Sequence, residues 1–168
     1  VRLVTNPERM VIKETQRAYT QLGLFGYRAD MVVCNRVLPP EALTNSYFQA
    51  RGADQTKYLG ELSEIFGPIP IKITPQFDRE IGGMDGLSEL ADLLFKADSP
   101  ADFFYNDLPF LIKPVEVDDE AAPHGADQLL TLSIPLVTKD EVNLNQIGEE
   151  LIIEVGRYRR NMLLPRSL

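Results

Sequence analysis

Short apolar blocks alternate with longer amphipathic stretches over the first two thirds of the chain. The block VRLVT at residues 1–5 reads as a strand. It gives way to Asn6-Pro7-Glu8, which offers an N-cap, a proline suited to the first helical position and an acid for the first turn. Val11, Thr15, Ala18 and Leu22 then recur at helical spacing, Arg9, Lys13, Glu14, Gln16 and Arg17 cover other faces, and Gly23 and Gly26 offer stops. DMVVCNRV follows as a second strand. Two apolar strands joined through a helix predict a right-handed βαβ crossover in a parallel sheet.

After LPPEALTN the spacing of Tyr47, Leu59, Leu62 and Phe66 predicts a helix over 46–66, ended by Gly67-Pro68, although Gly52 and Gly60 argue against it locally. IPIKITP reads as a strand and QFDREIGG as a loop. A helix over 84–95 follows, with Leu87, Leu90, Ala91 and Leu94 on one face. Residues 1–113 therefore predict β-α-β-α-β-α, half of a doubly wound α/β sheet.

The period changes after ADSPADFFYNDLPF. Leu130, Leu132, Ile134 and Leu136 alternate with small polar residues and a proline, and the alternation returns at Val142 and Leu144 and again at Leu151, Ile153 and Val155. Antiparallel strands are expected, with VDDEAAPHGAD as a long mobile loop before them. The expected domains are an α/β part over 1–113 and a small β part over 114–168, the boundary lying near Pro109 to Pro114.

Composition narrows the function classes. The hydrophobic fraction of 44% suits a globular domain, and no apolar run approaches the ~18–20 residues that a membrane-spanning helix needs. The start lacks a signal-peptide layout, which points to a cytosolic protein. Cys34 is the only cysteine among the 168 residues, so one chain can form neither an internal disulfide nor a cysteine zinc site. A net charge of −8 speaks against nucleic-acid binding. Arg157, Arg159, Arg160 and Arg166 gather near the end, as a basic strip or as a solvated edge strand.

Candidate chemistry is sparse. Neither G-x-x-x-x-G-K-[ST] nor G-x-G-x-x-G occurs, so the usual phosphate cradle is missing. Gly82-Gly83 reads as a turn, His124 as a solvated loop residue, and Asp118-Asp119 and Glu149-Glu150 as solvated acids. No catalytic residue and no metal ligand is assigned. The segment MVVCNRVLPP is the exception, because an amide and a guanidinium, Asn35 and Arg36, stand at the carboxyl end of a buried strand. In an open α/β sheet that end is where ligands bind. A carboxamide there can present a donor and an acceptor to the N6/N7 edge of adenine, and Pro75, after the next strand, can flank the base plane; plain strand-end roles remain the alternative.

At these residues the chain resembles the arsenite-pump and tail-anchored-protein-targeting ATPases, the ArsA-like branch of the deviant Walker A ATPases. VTNPERMVIKETQRAYTQLGLFGYRADMVVCNRVLP is similar to that family's "PE…ET.R…L…G" followed by its "vvvN…P" strand. ARGADQTKYLGELSEIFGPIPIKITPQ is similar to its "AR…Q.KYL" helix and the strand after it, and GGMDGLSELADLL to the segment closing the ATPase domain. LLTLSIPLVTKDEVNLNQIGEELIIEVGRYRRNMLLPRSL resembles the α-crystallin-like, small heat-shock β-sandwich appended to some bacterial members.

The resemblance implies that Asn35 and Pro75 contact adenine, and that Arg36, without a family role, is a surface ion-pair residue. It further implies a C-terminal portion of a longer chain whose P-loop half binds ATP and Mg and closes as a homodimer. These residues alone are then expected to bind no cofactor and to hydrolyse nothing. The zinc-binding C-x-x-C pair of the eukaryotic targeting factors falls at Asn45 and Phe48, so no zinc clasp is expected. A protein client stays open, and the competing reading is a non-catalytic, chaperone-like binding module.

Overall fold

Three apolar strands, β1 (Arg2–Thr5), β2 (Met31–Val37) and β3 (Ile71–Pro75), pair in parallel in the order β1-β2-β3. The computed structural model describes residues 1–96, 98–114 and 128–164, so the loop expected over 117–127, with Asp118, Asp119 and His124, and Arg166 lie outside the described residues. β2 is the middle strand, and Met31, Val32, Val33 and Cys34 are buried on both of its faces, as continuous apolar runs in parallel sheets are.

Helix α1 (Arg9–Leu24) carries the chain from β1 to β2, and α3 (Ser46–Phe66) from β2 to β3. Tyr19 of α1 and Phe66 of α3 meet with ring centroids 5.6 Å apart. α1 starts two residues later than Asn6-Pro7 suggests. The Glu8 N–H turns back to the Asn6 carbonyl at 2.7 Å, and the Glu8 carbonyl accepts the first helical bond, from Ile12 N–H at 3.0 Å. A short helix, α2 (Pro40–Leu43), occupies the stretch before α3. α3 opens on Asn45, whose side chain accepts from Tyr47 N–H, and stops at Gly67. α4 (Gly83–Phe95) follows β3.

The amino end of the sheet is pinned by two cations. Arg2 donates to the carbonyls of Pro100 at 2.6 Å and Asp102 at 3.1 Å, and Lys72 pairs with Asp98 at 2.8 Å. Both cations lie over the rings of Phe95 and Phe104, Lys72 Nζ at 4.4 Å from the Phe104 centroid. Phe104, in the Phe-rich stretch after α4, is thus a packing residue.

The chain divides into two compact units, Val1–Tyr19 with Ala29–Asn106, and Thr20–Arg28 with Asp107–Leu168. In the second unit β4 (Phe110–Pro114) pairs antiparallel with β5 (Gln128–Leu132), and β6 (Val142–Ile147), β7 (Glu150–Val155) and β8 (Tyr158–Leu163) form a separate antiparallel sheet. β5 ends earlier than the alternation to Leu136 suggests, because the backbone turns at Pro135-Leu136 with Leu136 at φ 63°.

The core of this unit holds Leu24, Ile153 and Val155, with Leu132, Ile134, Val142, Leu151 and Met162 packed around them. Leu24 reaches it because α1 closes with a glycine turn: Tyr27 N–H donates to the Leu22 carbonyl at 2.8 Å, Gly26 N–H to the Gly23 carbonyl at 2.9 Å, and Gly26 sits at φ +79°. Arg160 Nη1 donates to the Leu24 carbonyl at 2.6 Å, while Arg159 lies across from Glu154 on the other face of β8. Arg159 and Arg160 therefore do not share one face. Among the described residues no helix is long and apolar enough to cross a membrane.

Candidate functional site

The carboxyl end of β2 is irregular in a way that decides what it presents. Cys34 pairs with Ile73 and Val37 with Pro75, so Asn35 and Arg36 together face the single residue Thr74. This is a β-bulge, and Arg36 absorbs the extra residue at φ 60°. A non-glycine residue in that region costs about 1 kcal/mol, so the surroundings must hold it.

They do so through five hydrogen bonds. Asn35 Oδ1 accepts from Arg36 N–H at 2.9 Å and from the Thr74 hydroxyl at 2.7 Å. A backbone N–H can only donate, so that atom is fixed as the carboxamide oxygen, and both of its lone pairs are used. The Arg36 side chain crosses to β3, where its Nε donates to Gln76 Oε1 at 2.9 Å. Gln76 is tied down in turn, its N–H donating to the Val37 carbonyl at 2.7 Å and its Nε2 to the Phe77 carbonyl at 3.1 Å.

Thr74 is fully buried, Asn35 and Pro75 are half-buried and Arg36 is exposed. Pro75, the last residue of β3, lies between the two residues that hold Asn35 and Arg36. The structure therefore brings Asn35 and Pro75 to one edge of the parallel sheet. It corrects the expectation for Arg36, which forms no ion pair among the described residues and is held by a neutral amide.

Below the edge, Gln55 of α3 accepts from Leu38 N–H at 2.6 Å and donates to the Leu38 carbonyl at 3.2 Å. Thr74, Gln76 and Gln55 were given no role from sequence. Gln55 had left a trace, since it is the glutamine of the quoted "AR…Q.KYL" pattern. Cys34, one residue before Asn35, is buried, and that burial pushes its thiol up to about 11. It is neither a nucleophile nor a ligand at neutral pH. Asn45, where the resemblance places one member of the eukaryotic targeting factors' zinc-binding pair, serves as a helix cap.

With this geometry in place, the chain can be set beside known proteins. Residues 1–96 match the family described as "Anion-transporting ATPase". The chain belongs to that family. Residues 125–168 match the "HSP20-like domain found in ArsA", which agrees with the separate antiparallel sheet of the second unit. Relatives of the family named "Putative arsenical pump-driving ATPase" align along all of this chain: one from Prosthecochloris vibrioformis at 36% identity over 39% of its own length, and one numbered 1 from Aquifex aeolicus at 30% over 41%. The "ATPase ASNA1 homolog 1" of Paramecium tetraurelia is 31% identical across 58% of the chain and 29% of its own length. The chain thus spans about two fifths of the length of these two pump-driving relatives.

Proposed function

We propose that this chain supplies the base-binding edge of a nucleotide site in an anion-transporting-family ATPase, with Asn35 and Pro75 contacting the adenine of ATP. One observation carries the reading. The Asn35 carboxamide has its oxygen locked by two donors at the open end of the central parallel strand, while its NH2 bonds to no described residue. Such a group is oriented before any ligand arrives, and it suits a purine ring nitrogen such as N7. Pro75 offers a rigid apolar surface to the face of the base.

The chain has no glycine-rich phosphate loop, so we assign the phosphate cradle and the Mg ligands to the rest of a longer protein. In that protein bound MgATP supplies the free energy for closure of a cytosolic homodimer. The residues here bind and orient the base.

The test is Asn35→Asp in the full-length protein. It keeps an oxygen for Arg36 N–H and Thr74 and removes only the NH2 donor. ATP affinity is expected to fall about tenfold or more, with the melting temperature nearly unchanged. Unaltered affinity would defeat the reading.

The second unit favours a parallel role in protein binding. β6 is an edge strand whose Leu144 and Ile147 are 66% and 61% exposed, a form suited to adding an extended apolar segment of a client. Replacing both by lysine should abolish capture of an extended apolar peptide and leave ATP affinity intact. Capture that survives both replacements would refute this role.

A further inference from the structure

The side chains of Asn35 and Arg36, at the carboxyl edge of β2, are matched to acceptors only. Asn35 has spent its oxygen on Arg36 N–H and Thr74, so it can meet a ligand only through N–H groups. Arg36 has no acceptor to offer. Its Nε–H is used on Gln76, and its Nη1 and Nη2 donors bond to no described residue. Gln76 is held at both ends, its oxygen accepting from Arg36 Nε and its nitrogen donating to the Phe77 carbonyl. The bulge keeps this arrangement in register, because it turns Arg36 outward to Gln76 while leaving Asn35 on Thr74.

Purines differ at the edge such a site would read. Adenine presents the acceptor N7 beside the N6 amino donor, whereas guanine presents two acceptors, N7 and O6. A carboxamide with a free oxygen would favour adenine. The oxygen of Asn35 is not free.

We propose that Arg36 sets the base selectivity of this site, its Nη donors taking O6 of guanine while the Asn35 NH2 takes N7, so that guanine nucleotides are accepted alongside adenine nucleotides. This rests on the nucleotide reading above and adds the specificity of the same edge. Adenine still satisfies the Asn35 donor through N7, and its binding depends less on Arg36.

The experiment is equilibrium titration of MgATP and MgGTP into the full-length protein, wild type, Arg36→Met and Asn35→Asp, with the nucleotide-free melting temperature recorded for each. GTP is expected to bind within about tenfold of ATP, and Arg36→Met to weaken GTP about tenfold more than ATP. Arg36 is exposed, so the melting temperature should hold. If Arg36→Met melts early, Arg36→Gly, which the positive φ favours, gives the same comparison on a relaxed backbone.

GTP about a hundredfold weaker than ATP in the wild type, or an equal loss of both nucleotides on replacing Arg36, overturns the inference while Asn35-dependent ATP binding stands. Failure to bind either nucleotide, or indifference of both to Asn35→Asp, overturns the nucleotide reading and this inference with it.

Discussion

Gln55 serves as the strand partner that Leu38 lacks. Its carboxamide accepts from Leu38 N–H at 2.6 Å and donates to the Leu38 carbonyl at 3.2 Å, and Gln55 and Leu38 are 6% and 9% exposed. One helical side chain thus satisfies both backbone groups where β2 leaves the sheet, three residues past Asn35. An unsatisfied buried polar group costs about 1–3 kcal/mol. Gln55→Met, similar in volume but unable to form these bonds, is expected to lower the unfolding free energy by about 2–4 kcal/mol in urea titration. A loss below about 0.5 kcal/mol would mean that water replaces the amide.

Two glycines of α3 should respond in opposite directions to alanine. A Cβ on Gly60 would meet nothing within 4 Å, whereas one on Gly52 would lie 2.6 Å from Leu43 Cδ2. Gly60→Ala is expected to stabilise by about 0.5–1 kcal/mol through helix propensity alone. Gly52→Ala forces the Leu43 side chain from its place against α3, and should destabilise by about 1 kcal/mol. Thermal melts of the two variants would check the signs.

These glycines also show how far the chain could be read in advance. Ser46–Phe66 was legible as a helix because Asn45 and Gly67-Pro68 mark its ends, while Gly52 argued against it for want of the one fact that explains it, the tertiary approach of Leu43. β4 was illegible: the four residues between Pro109 and Pro114 carry no alternation, and they become a strand only by pairing with β5. The places of Asn35 and Pro75 near strand ends could be read from the apolar runs before them. The bulge could not, since its positive φ falls on an arginine and not on the glycine that usually signals one. The use of the Asn35 oxygen depends on Thr74, 39 positions away, and no local pattern encodes that.

The turn before β6 carries an acid-sensitive clasp. Glu141 accepts from Thr138 N–H at 2.8 Å and from the Thr138 hydroxyl at 2.9 Å, closing a capping box on the 3-10 turn Lys139–Glu141. The backbone bond first, and the hydroxyl bond second, hold the Glu141 carboxyl below its usual 4.5. A carboxylate whose folded value is lowered stabilises the protein above its unfolded value, and that contribution is lost as pH falls through the folded one. An NMR titration should find the Glu141 midpoint below that of a free glutamate and see it rise in Thr138→Ala. No rise would mean that the hydroxyl contributes nothing to the shift.

Cys34 makes a probe of the sheet beside the candidate site. It is fully buried in β2, paired between Thr5 and Ile73, and burial alone raises its thiol from 9.0 to about 11. Between those values the unfolded chain loses a proton that the folded chain keeps. Stability from this group is therefore complete below pH 9 and declines as pH rises toward 11. Cys34→Val should remove that part of the alkaline decline, measured as the difference between the two urea-midpoint profiles. At pH 8 an aromatic disulfide reagent should label Cys34 only when β2 opens, so labelling tracks unfolding. Saturating nucleotide should slow it, because a ligand on Asn35 stabilises the closed sheet by mass action. Rapid labelling of the folded protein would show that the strand carrying Asn35 opens locally, and with it the preset geometry on which the proposed base recognition depends.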